Sequence, residues 1–421
     1  LQQPFRATDL RMPLRPSRTG NLVTAYFLPG ARVRILDHRR KRWLGRHAQR
    51  SYEAKHREKV LRAQRRRATR IVTLYFQQKQ LRQKMWVAGR IPMPAIFCLE
   101  ERYEQSAEAL KQARSMLDRG IERYLRIPEL RRKRPRKINN YLDFSTIERL
   151  SPSAALCLAS EFHRVRLLIR TWNFPLVDLN RWRRSILGSL EDIGFFELLE
   201  IQKPKLRVPD QRITRFSSGE VASGTQARLL FEKLALIIDG LDEQEGLDQA
   251  LRLSRQRLYA ALVEATENTR AHAYEGLEED PFVARRWWMT GSVNPEKKSF
   301  TIAVYDQGVS IPACLPKWRG YGWIKKGFQR LFGKAPEAFD ESYDGYRIRL
   351  AMNAPLSSSS GLAYRGKGFP AYKDVLQECR GGRLRILSRR GEFLYVKGRR
   401  PRSRTLEMPL QGTLVEWDLQ V

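Results

Sequence analysis

Paired metal ligands are the first thing missing from this sequence. It holds four cysteines and five histidines in 421 residues. Cys98, Cys157, Cys314 and Cys379 are scattered, no two form a CxxC pair, and no histidine stands at metal-ligand spacing. That argues against zinc and against a disulfide scaffold, and it predicts reduced thiols in a cytoplasmic protein. Long apolar runs are missing too. The best, Ala154–Ala159, falls far short of the ~20 residues that cross a bilayer, so no membrane association is expected. Leu1–Pro29 lacks the pattern of an export signal, and opening on Leu rather than Met points to a fragment or an unusual start. Acidic residues are the last shortage. Against 79 Lys and Arg stand 45 Asp and Glu, a formal net charge of +34. Anything this basic associates with polyanions at low salt, whatever its function.

The chain has room for two or three domains and a sizeable core. Residues 1–137 hold 36 Lys and Arg against 11 Asp and Glu, so +25 of the charge lies in the first third. Ser51–Trp86, unbroken by Pro or Gly, carries a helix-like pattern. A second helix is expected over Glu100–Arg126, with Glu100, Glu101 and Glu104 in its first turn, where the dipole favours them. Arg131–Lys137 closes this basic, largely helical leader. Such an arm neutralises nucleic-acid phosphates, and Tyr75, Phe76 and Trp86 offer rings for stacking. The plain alternative is a solvated linker helix whose aromatics pack on the next domain.

Residues 138–205 predict a small α/β unit: a strand over Tyr141–Ile147, then a helix over Ser153–Leu168 with Ser151 as N-cap and Pro152 at its first position. Another helix, Leu179–Glu191, precedes Gly194 and Phe195–Ile201. The string LDFSTIERLSPSAALCLASEF, with GFFELLEI further on, resembles STAS domains of the anti-sigma-antagonist type. In that family the strand-to-helix turn reads Asp-Ser-Ser/Thr-Gly and its first serine is phosphorylated. Here Pro152 occupies the phosphosite, so the resemblance implies a docking module that is not switched in the usual way. His163, on the first helix, reads as a surface residue.

Residues 206–224 read as a linker, rich in Ser and Gly over Phe216–Gly224, and 225–421 as the C-terminal domain. Helices are expected over Gln226–Asp239 and Leu247–Tyr274. Apolar positions Leu258, Ala261, Leu262, Ala265 and Thr269 put Glu264 and Asn268 on one helix face, one turn apart, with His272 continuing the row. A carboxylate there can take a proton from an attacking hydroxyl or water, and a carboxamide oxygen can ligate magnesium. The plain reading is a solvated pair on an ordinary surface helix. Phe282–Val293 and Ser299–Tyr305 read as a hairpin joined by Asn294–Lys297. It delivers Asp306-Gln307-Gly308, a carboxylate that can accept from an amino group and a glycine that admits a flat ligand. Ala313 to about Ala363, ending in Ser357–Ser360, reads as a lid or binding loop. Arg365-Gly366-Lys367-Gly368 then opens a helix over Pro370–Cys379, an expected anion site. Gly361–Gly368 is one residue short of a P-loop, but Gly368 replaces the hydroxyl that holds magnesium. Arg383–Ser388, Phe393–Val396 and Thr413–Leu419 complete an antiparallel sheet.

Four stations therefore stand in order: Glu264/Asn268, Asp306/Gly308, Gly366/Gly368 and Gly412/Thr413. That order, with a lid between the second and third, resembles the GHKL (Bergerat-fold) ATPases of gyrase B, histidine kinases and anti-sigma serine kinases. The resemblance implies a mainly antiparallel sheet with helices on one face. It implies ATP and Mg2+ as ligands, with Asn268 on the metal and Glu264 as general base. Asp306 would take the adenine amino group beside Thr413, Arg365–Gly368 the phosphates, and Ser357–Gly361 the lid. Two positions depart from the family: Ser310 stands at the last glycine of D-x-G-x-G, and Tyr364 at the first of G-x-G-x-G.

The expectation is an α/β multi-domain regulatory protein that binds ATP·Mg and uses slow hydrolysis or phosphotransfer as a switch, with a protein partner and with homodimerisation left open. Two rivals stand beside it: a serine protein kinase acting on a STAS-like partner, and a nucleic-acid-associated scaffold with a non-catalytic nucleotide site. No histidine is placed as the phosphoacceptor of a histidine kinase.

Overall fold

A computed structural model of the chain describes scattered residues between 48 and 58, and then 69–76, 79–126, 137–169, 175–201, 212–221, 224–241, 246–317, 321–333, 340–353 and 368–420. Leu1–Gln64 and Arg65–Val421 are two compact units. The boundaries expected at 137/138 and 205/206 both fall inside the second.

That second unit is built on one five-stranded, wholly antiparallel sheet. Its strands are β7 (Ser217–Gly219), β8 (Trp287–Asn294), β9 (Ser299–Asp306), β10 (Gly381–Val396) and β11 (Arg402–Gln420), in the order β10-β11-β9-β8-β7. Side chains alternate along each strand, and here both sets are apolar. Phe300, Ile302 and Val304 of β9 enter one core with Trp287, Met289, Val415, Trp417 and Leu419, while Ala303 and Tyr305 enter another with Trp288 and Leu414. A sheet that is apolar on both sides must be covered on both. On the first side lie α5 (Gly224–Asp239), α6 (Leu247–Asn268) and α10 (Gly368–Asp374). On the second lie α1 (Tyr103–Arg126) and α2 (Pro152–Leu168). The helices of residues 225–421 thus pack on the first face, and α1 and α2, from earlier in the chain, close the second, so the sheet lies between two helical layers.

α1 starts three residues later than expected, so Glu104 alone of the three acidic residues is in its first turn, and it buries Tyr103, Leu110, Ala113, Leu117 and Ile121 along one stripe. α2 starts as its cap dictates: Ser151 Oγ accepts from Ala154 N–H at 3.3 Å, with Pro152 at the first turn. It is buried almost all round, because the sheet, α1 and the short helices α3 (Arg184–Asp192) and α4 (Phe195–Leu198) enclose it.

Other expectations change. Thr69–Phe76 and Lys79–Pro92 are antiparallel strands β1 and β2, not helix. Val72 and Leu74, like Met85 and Val87, alternate at the strand period and bury together. The Gln, Lys and Arg of residues 77–84, between these two pairs, are good helix formers and hide that period. β2 pairs in parallel with β4 (Lys137–Asp143), and Phe144–Thr146 is a 3-10 turn where the strand had been expected to run on. Ser217–Gly219, inside the expected linker, is the sheet's edge strand. α7 (Ile311–Cys314) runs into the expected lid, which contains α8 (Tyr321–Phe332) and α9 (Asp344–Met352), and Leu315, Ile324, Phe328 and Leu350 form their own small core. Ser357–Gly361, Tyr364, Arg365, Gly366 and Lys367 lie outside the described residues.

All four cysteines are free, and three of them are buried. Among the described residues no helix is long and apolar enough to cross a membrane.

Candidate functional site

α6 presents its two polar residues beside the sheet because Leu258, Ala261, Leu262 and Ala265 hold the adjoining face down. Glu264 and Asn268 are half-buried at its C-terminal end. Burial pushes the Glu264 carboxyl up, and the Asn268 amide one turn on offsets part of that rise by favouring the charged form. The Asn268 Nδ2 donates to the Tyr372 hydroxyl on α10 at 3.1 Å. Directly after Asn268 the helix widens into a π turn, Thr269–Ala273. Such widening is common at functional sites. Here it delivers Thr269 Oγ1 to Asp306 (3.5 Å) and the Ala273 carbonyl to Val309 N–H (2.7 Å).

Asp306 ends β9, and burial pushes its carboxyl up to about 7. Gly308 N–H donates to it at 2.9 Å, and the Thr413 N–H and the Thr269 hydroxyl also favour its charged form. Thr413 stands opposite Asp306 in the ladder, its hydroxyl bonded to Ser388 at 2.8 Å. Two glycines make this corner possible. A Cβ on Gly412, whose φ is +76°, would lie 2.0 Å from the Asp306 carbonyl oxygen. One on Gly308 would lie 2.1 Å from that of Ala273. The close approach at Gly308 is thus to the π turn. Ser310 holds φ at +91°, a glycine conformation, with its hydroxyl buried and without a partner.

These pieces enclose a cavity of about 440 Å³. Glu264, Asn268, Thr269, Asp306 and Thr413 all line it, so three of the four sequence stations meet in one wall although up to 149 positions separate them. The fourth contributes Gly368, where a Cβ would lie 3.8 Å from Glu264 Oε1. α10 starts at this glycine and ends at Asp374, a shorter helix than expected, with a 3-10 turn after it. Val304, Val415, Ile311, Leu315 and Phe369 add an apolar wall, and His272, Glu275, Ser310 and Lys317 line the cavity as well. Volume and lining suit a mononucleotide: an apolar slot with a few convergent polar groups. Among the described residues no group of three His, Cys, Asp or Glu could hold a metal unaided. Magnesium carried on phosphates needs only one or two protein oxygens, and the Asn268 carboxamide can supply one.

Sequence reasoning missed several lining residues. Tyr372 carries no motif signal, Thr269 reads only as an apolar position, and Lys317 and Glu275, an ion pair at 3.0 Å, both line the cavity, Lys317 from the expected lid. It also misjudged the far side of the sheet. Gln307, between Asp306 and Gly308, donates to Glu161 (3.0 Å) and Ser160 (3.2 Å) of α2. Glu161 is held in turn by Arg114 of α1 at 3.0 Å and by the wholly buried Arg164, also at 3.0 Å. Arg164 further contacts Asp118 at 2.7 Å. His163 is no solvated surface residue. Its Nδ1 accepts from Trp288 Nε1 at 2.9 Å, and burial with nearby Arg286 and Arg166 lowers its pKa to about 4. The imidazole is thus a neutral acceptor fixed against the sheet.

No family model matches the chain, and no curated protein matches it either.

Proposed function

We propose that the cavity binds ATP with magnesium, and that the chain uses slow hydrolysis or phosphotransfer as a regulatory switch. One observation carries the reading: Glu264, Asn268, Asp306, Gly368 and Thr413, picked from separate parts of the sequence, line one nucleotide-sized cavity. The roles follow from chemistry. Asp306, which burial pushes up to about 7 against three donors that favour its charged form, suits an exocyclic amino group once it is ionised. The apolar wall suits a ring. Asn268 suits a hard cation, which would neutralise phosphate charge when bound. Glu264, its basicity raised by burial, suits the proton of an attacking water or hydroxyl.

The test is a titration of the full chain with ATP, with and without Mg2+, followed by labelled ATP. Micromolar binding that Mg2+ strengthens, with label released as phosphate, supports the hydrolytic switch. Label appearing on an added STAS-like protein supports the serine kinase instead. No measurable nucleotide binding overturns both and leaves the nucleic-acid scaffold.

A further inference from the structure

The Asn268 side chain has two N–H groups and one carbonyl oxygen to place. One N–H is taken by the Tyr372 hydroxyl at 3.1 Å. With the nitrogen turned to Tyr372, the oxygen is the carboxamide atom that remains for a ligand. Glu264 lines the same cavity one turn before Asn268 on the helix, and a carboxylate there disfavours a second acceptor oxygen on its own side. Tyr372 is itself fixed. It is 2% exposed, its ring meets Trp417 edge-on at 5.5 Å, and its carbonyl accepts from Trp417 Nε1 at 2.9 Å. It also lines the cavity beside Asn268.

We infer that Tyr372 is a positioning residue for Asn268: it fixes the carboxamide so that the oxygen, not the nitrogen, meets a divalent cation bound to the ligand's phosphates. This rests on the ATP·Mg reading above and adds the device that makes a neutral amide a metal ligand. It acts through Asn268, so Tyr372 matters where the cation matters. Its hydroxyl should contribute to the gain in affinity that Mg2+ confers and little to what remains without it.

The experiment is ATP titration of the full chain in Mg2+ and in EDTA for the parent, Tyr372→Phe and Asp306→Asn, with Tm recorded for each. Phe keeps the ring against Trp417 and the carbonyl that Trp417 binds, so the fold should survive. The expected result is that Tyr372→Phe loses about tenfold of the Mg2+-dependent gain, while affinity in EDTA falls by no more than about twofold. Asp306→Asn should weaken both conditions alike. Equal losses for Tyr372→Phe in Mg2+ and EDTA would show a wall residue only and overturn the inference. So would no loss at all, or a parent that binds ATP equally well without Mg2+. Those outcomes leave nucleotide binding intact. A parent with no Asp306-dependent ATP binding overturns the reading beneath as well.

Discussion

Asp306 and Ser310 stand four residues apart, and the fold strains each for a different reason. Burying a carboxyl favours its neutral form, which is why Asp306 titrates near 7. The sign follows for stability: its contribution is complete below the unfolded carboxyl pKa and is lost as pH rises through about 7. Binding runs the other way, because the amino group needs the charged acceptor. ATP affinity should therefore rise between pH 6 and 8 in a series of titrations, while the contribution of Asp306 to Tm falls. Ser310 pays in backbone conformation, and its buried hydroxyl recovers nothing. Ser310→Gly should stabilise the protein by about 1–3 kcal/mol, read by denaturant unfolding. For Glu264, Gln keeps the shape and removes the base. Turnover should drop roughly a hundredfold with ATP affinity within about threefold, and turnover equal to the parent's would place the base elsewhere.

At the scale of elements, what was legible depended on where the partner lay. α1, α2, α5 and α6 declared themselves through stripes and caps within one segment. So did the β8–β9 hairpin through its alternation and turn. β1 and β2 did not: the Gln, Lys and Arg of residues 77–84 are helix formers and mask the strand-forming Thr, Ile, Val, Tyr and Phe of Thr69–Phe76. The layer on the second face was hidden for a related reason. Nothing local in Arg114, Glu161 or Arg164 says that they meet beneath Gln307. Glu264, Asn268 and Asp306 were legible as chemistry at helix and strand ends; Tyr372 was not, since its role exists only across α6 and α10. The buried network gives its own prediction. Glu161→Ala leaves Arg164 buried with half its charge partners and should destabilise the protein by about 3–5 kcal/mol, measured by urea unfolding. A change under 1 kcal/mol would show the network to be dispensable.

Across the whole molecule two properties coexist: a nucleotide-sized cavity in Arg65–Val421 and a basic excess at the start of the chain. Since β1, β2 and α1 belong to the second unit, the arm that can be removed without cutting the core is Leu1–Gln64, with 16 Lys and Arg against 4 Asp and Glu. Deleting it should weaken sequence-independent binding to DNA or RNA at low salt and flatten its salt dependence, since each phosphate contact adds a slope of roughly −0.9 on duplex DNA. Unchanged affinity and slope would make it a linker only. The central claim, that the corner at the end of β9 reads a nucleotide base, is tested most directly by titrating ATP·Mg into the full chain and into Asp306→Asn at pH 8. The account predicts at least tenfold weaker binding in the variant, since a charged acceptor is worth roughly 1.5–3 kcal/mol. Equal affinity in parent and variant would contradict it.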